Sequence, residues 1–321
     1  MTTLAATIER WPLGEAFTIA RGAKTEAVVV VVHASRGGHV GRGEAVPYAR
    51  YGEEPAGVVR AIEAVGDVDS RTSLRLPPGA ARNAIDLALW DLEAKERGAR
   101  VWELAGLDPP APCVTAHTIP LRSLTETRAL ARREAHRALL KIKAGGEDDL
   151  ARIEAVREQA PDARLIVDAN EGWDMATLTQ IAPRLVPLGI ELIEQPLPAG
   201  EDMALAGWES PIPLCADESF HGGPEELEAL VGRYRAVNVK LDKQGGLTTA
   251  IAAVSRAREL GLEVMIGTMV ATSLAVAPAV LLAPRARWAD LDAAIFLAPD
   301  RSPGLVYQGS LVYPGSAALW G

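Results

Sequence analysis

The chain has 321 residues, enough at roughly 150 per domain for two domains or for one large barrel with an appendage. Its 48% apolar, 23% charged and 5% aromatic residues lie near globular averages, which excludes a disordered chain and a coiled coil. A net charge of -9 removes the general attraction to phosphate polymers, so no nucleic-acid partner is expected.

The opening MTTLAATIER has no basic segment leading into an apolar stretch, so no secretory signal is expected and the expected location is the cytoplasm. Residues 3 to 9, 15 to 20 and 26 to 33 read as strands of an antiparallel meander, with Gly22 and Arg36-Gly37-Gly38 at its turns. Gly41-Arg42-Gly43 reads as a further tight turn, because Val46 breaks the GxGxxG fingerprint. A helical stretch follows at 54 to 65. A stronger one places Ile85, Ala88, Leu89 and Leu92 at i, i+3, i+4 and i+7, with Gly98 as its stop. Pro109, Pro110 and Pro112 suit neither a helix interior nor a central strand. They mark a junction between a first domain, 1-110, and a second, 111-300.

Short apolar strands, each followed by a helical stretch, then read at 114 to 119, 137 to 142, 164 to 168, 190 to 194, 212 to 217, 235 to 240, 262 to 266 and 287 to 292. The residues at their ends, Lys143, Asp168, Glu194, Asp217, Lys240, Gly267 and Asp290, recur roughly every 25 residues, the length of a βα unit. Such alternation implies a parallel sheet, and eight units close as a (β/α)8-type barrel. The longest apolar run, Leu274 to Ala283, is broken by Pro278 and is about half the ~20 residues a membrane span requires, so no membrane is expected. The tail 301-321, strand-like at 304 to 308 and 311 to 314, is too short to stand alone and is expected to pack back on the first domain. Cys113 and Cys215 fit no disulfide framework or metal-ligand spacing and read as buried, reduced thiols.

Barrel active sites lie at the C-terminal ends of the strands. Asp168, Glu194 and Asp217 end three consecutive strands, so they converge as neighbours on the rim. Oxygen ligands without a histidine select Mg²⁺ or Mn²⁺. The alternative is that these carboxylates pair with lysines at the barrel mouth. Lys141 and Lys143 point to one side of their strand, and Lys240 brackets the trio from the other flank. A lysine abstracts a proton once its pKa is lowered, which burial and a nearby divalent cation promote. Two such bases on opposite faces of one carbon permit racemisation through an enediolate stabilised by the metal. Lys243 is the rival to Lys240 but lies past the strand end. His117 and His221 read as packed or solvated. Tyr48 and Tyr51 either line the pocket or pack between domains. No HxH or HExxH pair supports a zinc hydrolase.

In order along the chain, Gly41-Arg42-Gly43-Glu44 with Pro47, Ala88-Leu89-Trp90-Asp91-Leu92, Lys141-Ile142-Lys143, Asp168-Ala169-Asn170, Glu194-Gln195-Pro196, Asp217-Glu218-Ser219 and Asn238-Val239-Lys240 resemble the enolase superfamily. Within its muconate-lactonising subgroup, the dipeptide epimerases are the nearest match. The resemblance implies an α+β capping domain, completed by the tail 301-321, over a modified (β/α)7β barrel. It implies Mg²⁺, with Mn²⁺ as a substitute, on Asp168, Glu194 and Asp217. Lys143 and Lys240 would exchange the α-proton of the C-terminal residue of a dipeptide, with Lys141 and Asn170 in support. Asp290 and Asp292 resemble the pair that holds the dipeptide's ammonium, although Asp290 could instead pair with Arg285 or Arg287. Arg21 matches a position that meets an acidic side chain of the second residue. Thr268 and Met269 belong to the segment 267 to 273 that bears on specificity. Its Ala271 is smaller than the acidic residue of some relatives, which leaves the preferred side chains open. An L-Ala-L-Glu type substrate from peptidoglycan recycling is the default expectation. The alternatives are a cycloisomerase, an o-succinylbenzoate synthase or an acid-sugar dehydratase of the same superfamily; a glycosidase leaves the lysines unexplained. Members are often homo-oligomers, and the chain carries no readable signature of that state.

Overall fold

The computed structural model describes residues 1–321. Its first sheet is an antiparallel meander of β1 (Thr3–Ile19), β2 (Gly22–Arg36) and β3 (His39–Ala45). The two strands expected at 3 to 9 and 15 to 20 are therefore one. The pairing with β2 slips between Pro12 and Phe17, where proline has no N–H to donate, and the strand resumes beyond the bulge. The predicted turn at Gly41-Arg42-Gly43 is instead the middle of β3. Its glycines exist for close approach, not for turning. A Cβ on Gly41 would stand 2.1 Å from Ala88 O, and one on Gly43 2.2 Å from Ala84 O.

Those two carbonyls belong to α2 (Ala80–Arg97), which follows α1 (Pro55–Val65) and ends where Gly98, left-handed at φ 60, donates to Ala94 O. Ala84, Ile85, Ala88, Leu89 and Leu92 bury against Val30, Val32 and Ala45, giving the capping domain its own core. A short α3 (Val101–Leu104) leads out of it. Next, β4 (Cys113–Val114) joins the tail strands β13 (Tyr307–Gln308) and β14 (Leu311–Val312) in a small separate sheet. The tail's last residues return to the cap, where Trp320 Nε1 donates to Leu87 O at 3.1 Å and Gly321 N to Asp91 Oδ1 at 2.9 Å.

Eight parallel strands form the second sheet: β5 (His117–Ile119), β6 (Leu139–Lys143), β7 (Arg164–Asp168), β8 (Ile190–Glu194), β9 (Leu214–Ala216), β10 (Ala236–Lys240), β11 (Glu263–Gly267) and β12 (Trp288–Asp290). They neighbour one another in chain order, and Ala116 N donating to Ala289 O at 2.7 Å joins the last to the first. The connections carry α4 (Leu124–Arg133), α5 (Asp149–Gln159), α6 (Met175–Leu185), α7 (Leu241–Gln244) with α8 (Leu247–Glu259), and α9 (Ser273–Val280). After β8 and β9 the expected helices are replaced by 3₁₀ turns, Asp202–Leu205 and Pro224–Leu230. The strand expected at 114 to 119 is also divided, because Val114 pairs with Leu311 in the tail and only 117–119 enters the barrel.

Period two along each strand sorts the barrel interior into rings. Ala116, Leu139, Ile166, Leu192, Cys215, Ala236, Met265 and Trp288 form one buried apolar cluster, contributed strand by strand, that plugs the bottom. Two residues higher on each strand stand Thr118, Lys141, Asp168, Glu194, Asp217, Asn238, Gly267 and Asp290, a ring that is almost wholly polar and buried. No helix is long and apolar enough to cross a membrane.

Candidate active site

The polar ring is a floor of charges in mutual contact. Lys141 Nζ lies 3.0 Å from Asp168 Oδ2, 2.6 Å from Glu194 Oε2 and 2.7 Å from Asp290 Oδ2. One ring higher, Lys143 Nζ donates to Asp168 Oδ2 at 2.6 Å, and Lys240 Nζ to Asp217 Oδ2 at 2.7 Å. The Asn170 side chain donates to Asp168 Oδ2 at 3.3 Å, while Asn238 Nδ2 donates to Glu194 Oε1 at 2.7 Å. Asp168, Glu194 and Asp217 thus stand on adjacent strands as expected but do not gather into a ready-made ion cage. Each is drawn to a lysine. Such buried charges persist only because they are paired.

Burial alone would raise Asp168, but the ammoniums of Lys141 and Lys143 outweigh it and hold the carboxyl well below the usual range. Asp217 behaves likewise under Lys240 and Lys243. Glu194 goes the other way, pushed up to about 7 by burial with the charge of Asp168 adding to it. Burial would lower Lys240, yet Asp217 and Glu194 raise it well above the ordinary lysine value. The lowering expected of a base is therefore absent while Asp217 is its partner.

Above the floor opens a cleft of ≈ 700 Å³ between the barrel mouth and the capping domain. Lys141, Lys143, Asn170, Asp217 and Lys240 reach its wall; Asp168 and Glu194 lie just beneath it. Asp290 and Asp292 also face the cleft. Asp290 pairs with Lys141, not with Arg285 or Arg287, and its Oδ1 is buried without a hydrogen-bond partner. Asp292 Oδ2 accepts from Thr118 N at 2.7 Å, and burial beside Asp290 pushes its carboxyl up to about 7. Thr268 and Met269 line the same wall, as do Tyr48 and Tyr51. His117 points out of the barrel, stacked on Phe296. Lys243 is fully buried, bonded to Asp217 Oδ1 at 2.6 Å and to Asn238 O at 2.9 Å, and does not line the cleft, whereas Lys240 does.

Arg21, at the β1–β2 turn, also reaches the cleft, but its guanidinium is already engaged. Its Nη2 donates to Glu218 Oε1 at 2.6 Å and its Nη1 to Glu171 Oε2 at 3.1 Å. Lys24, three residues on, lines the cleft over the Tyr48 ring, 4.8 Å from its centroid. Lys24 and Glu171 are site residues that the sequence did not single out. The only signal for Lys24 was a second base beside Arg21, and Glu171 carried none beyond its place after Asn170.

Strand order fixes the layout around the cleft. Lys143 on β6 and Lys240 on β10 stand four strands apart in a ring of eight, on opposite sides of the barrel. One arc between them, β7 to β9, carries Asp168, Glu194 and Asp217; the middle of the other arc is β12, with Asp290.

Residues 1–106 match the mandelate racemase / muconate lactonizing enzyme N-terminal domain, and residues 124–305 the enolase C-terminal domain-like family. The chain is 42% identical to the L-Ala-D/L-Glu epimerase of Escherichia coli over 96% of its own length and 98% of that protein's. It is 41% identical to an N-acetyl-D-glutamate racemase of a Pseudoalteromonas species over 92% and 95%. Among solved structures, an Agrobacterium tumefaciens enolase family member, with bound sodium and L-Ala-L-Glu, superposes with TM-score 0.97 at 49% identity over 100% of both chains. A dipeptide epimerase from Enterococcus faecalis, complexed with Mg and L-Leu-L-Tyr, gives 0.88 at 26% identity over 98% and 96%. The chain belongs to the enolase superfamily, in its mandelate racemase and muconate-lactonising division, among the isomerases that form the dipeptide epimerase family.

Proposed function

We propose that this protein epimerises dipeptides of the L-Ala-D/L-Glu type at the α-carbon of the C-terminal residue by a 1,1-proton transfer between Lys143 and Lys240. The observation that carries this reading is the diametric placement of the two lysines, with a carboxylate arc on one side of the line between them and an acid pair on the other. A dipeptide laid across that line brings its carboxylate to the first arc and its ammonium to the second. Its C-terminal Cα then lies between two amines.

Three buried carboxylates supply oxygen donors alone, and Asn170 Oδ1 beside them is a buried oxygen without a hydrogen-bond partner, so the donor set suits Mg²⁺. Held by Asp168, Glu194 and Asp217, Mg²⁺ would supply positive charge to the substrate carboxylate and compete with the lysines for these three side chains. Lys143, as a neutral amine, takes the α-proton from one face and becomes an ammonium. Lys240, as an ammonium, returns a proton to the opposite face; the reverse direction exchanges the roles. Lys141 keeps the floor charged and rigid. Asp290 Oδ1, lacking a partner, and Asp292 receive the substrate ammonium. Arg21 and Lys24 offer positive charge to an acidic second side chain, and Thr268 and Met269 bound the space beside it.

A second reading is racemisation of an N-acyl amino acid. The Pseudoalteromonas relative and the prior claim of Lys141 on Asp290 favour it, since an acyl group brings no ammonium. Cycloisomerases and acid-sugar dehydratases would leave both aspartates idle.

Proton NMR in D₂O with Mg²⁺, a panel of L-Ala-L-X dipeptides and N-acetyl-glutamate separates these readings. The expected result is loss of the C-terminal α-proton signal and growth of the other epimer, fastest with L-Ala-L-Glu and abolished by EDTA. Lys143→Ala and Lys240→Ala should each slow epimerisation by about 10³-fold or more. Each should retain solvent exchange from one epimer only, and not the same one. Exchange confined to N-acetyl-glutamate would select the second reading; silence throughout the panel would sink both.

A further inference from the structure

The carboxylate of Glu171 binds more of the chain together than any other at the rim. It leaves the barrel just after β7, beside Asn170, and meets residues from three other segments. Arg50 grips it with two parallel bonds, Nη2 to Oε1 at 2.7 Å and Nε to Oε2 at 2.8 Å. Arg21 Nη1 adds 3.1 Å to Oε2, and Ala199 N, from the loop after β8, donates to Oε1 at 2.9 Å. Forked guanidinium–carboxylate contacts are the strong, direction-specific ones.

The segments so joined are the walls of the cleft. Arg21 belongs to the β1–β2 turn, Lys24 to the start of β2, and Arg50 to the 3₁₀ turn Ala49–Tyr51; all three line the cavity. The two turns also touch each other, with Arg21 Nη2 donating to Tyr48 Oη at 3.2 Å. Tyr51 packs on His221 at 4.1 Å, beyond β9. Behind the carboxylate the backbone is unusual, because Asn170 and Glu171 both lie in the left-handed region, at φ 47 and 67. Side-chain-bearing residues seldom hold that conformation unless the surroundings impose it. Here it turns Glu171 away from the charged floor and up toward the capping turns.

We propose that Glu171 is the fastening point that holds both capping-domain turns, through Arg21 and Arg50, closed over the cleft, and so sets how tightly a dipeptide is retained. It is a positioning residue and moves no proton. A dipeptide meets the enzyme with an affinity reduced by whatever fraction of molecules stand open, and weakening the fastening enlarges that fraction. The inference rests on the dipeptide reading for its substrate, but the fastening itself is testable without any.

Trypsin supplies the probe, since Arg21 and Arg50 on the two turns and Lys24 at the start of β2 are its cleavage sites. In the ligand-free protein, Glu171→Gln should speed cleavage after Arg21 and Lys24 by about fivefold or more. Arg50→Ala, a change on the other turn, should speed the same two cuts. The double variant should cut no faster than Glu171→Gln alone, because that change already releases Arg50. With L-Ala-L-Glu, Glu171→Gln should raise KM by a larger factor than it lowers kcat. Cleavage and KM both unchanged in the two variants would overturn the inference. Faster cutting spread along the whole chain would do so too, by giving Glu171 a general structural part. A protein silent toward every dipeptide would leave the proteolysis arm intact, so failure of the catalytic reading and failure of the fastening are told apart.

Discussion

Asp242 sits wholly inside the seam between the capping domain and the barrel, where its Oδ1 accepts from Val46 N at 2.9 Å and from Asn83 Nδ2 at 2.8 Å. No cation faces it. Burial pushes its carboxyl from 3.8 up to about 7, against the lowering effect of those two bonds. Between those two values the folded chain keeps a proton that the unfolded chain releases, so this residue's contribution falls as pH rises through the window and is fully lost above it. The loss is on the order of 4 kcal/mol. Asp242→Asn keeps the accepting oxygen and never ionises, so its Tm should gain on the parent's as pH rises from about 4 to about 7. A difference between the two melting curves that is flat across that range would refute this. At this scale the sequence was informative wherever a residue's position follows from its strand. The convergence of Asp168, Glu194 and Asp217 on the barrel floor was legible because each ends one of three consecutive strands. Lys243, three residues past Lys240, was not: that it turns inward to Asp217 depends on the short helix α7 (Leu241–Gln244), which no period reveals.

At the scale of elements, the contact of β3 with α2 is the tightest seam in the capping domain. The Cβ of an alanine at Gly43 would lie 2.2 Å from Ala84 O and 2.6 Å from Ala88 N, both backbone atoms that cannot yield as a side-chain tip can. Gly43→Ala should cost about 2–3 kcal/mol, read as a lower urea midpoint with an unchanged slope. Gly200→Ala is the control, since nothing lies within 4 Å of its Cβ, and it should stay within about 0.5 kcal/mol of the parent. Equal midpoints for the two variants would contradict the packing argument. The same glycines explain a misreading. Two glycines around one residue look like a turn, and only the helix lying on them shows why they belong to a strand. The barrel strands were legible because short apolar runs between breakers recur at a regular spacing, whereas the gaps after β8 and β9 are about as long as those that hold α5 and α6, so spacing alone does not reveal their 3₁₀ turns.

Across the whole molecule, one ionic cluster joins parts distant in the chain. Arg301, in the tail, places Nη2 2.7 Å from both Glu44 of β3 and Glu9 of β1, while its Nε donates to Thr272 Oγ1 at 2.6 Å. Glu44 is fully buried, and its carboxyl is raised by burial despite Arg301. Without the guanidinium that charge would have no cationic partner, so Arg301→Ala should destabilise by about 3–5 kcal/mol. Glu44→Gln in the same background should recover part of the loss; thermal melts that show no recovery would contradict this account. Nothing local in the sequence signals such a cluster, because its partners are separated by more than 200 residues.

The stacked rings of the barrel divide labour by height. The apolar plug, from Ala116 to Trp288, holds the strands together without regard to what happens above it. Two steps up each strand, the side chains that would do chemistry stand on that foundation and contribute little to it. Selection can therefore rewrite the upper storeys, exchanging one acid or lysine for another, while the masonry beneath stays in place.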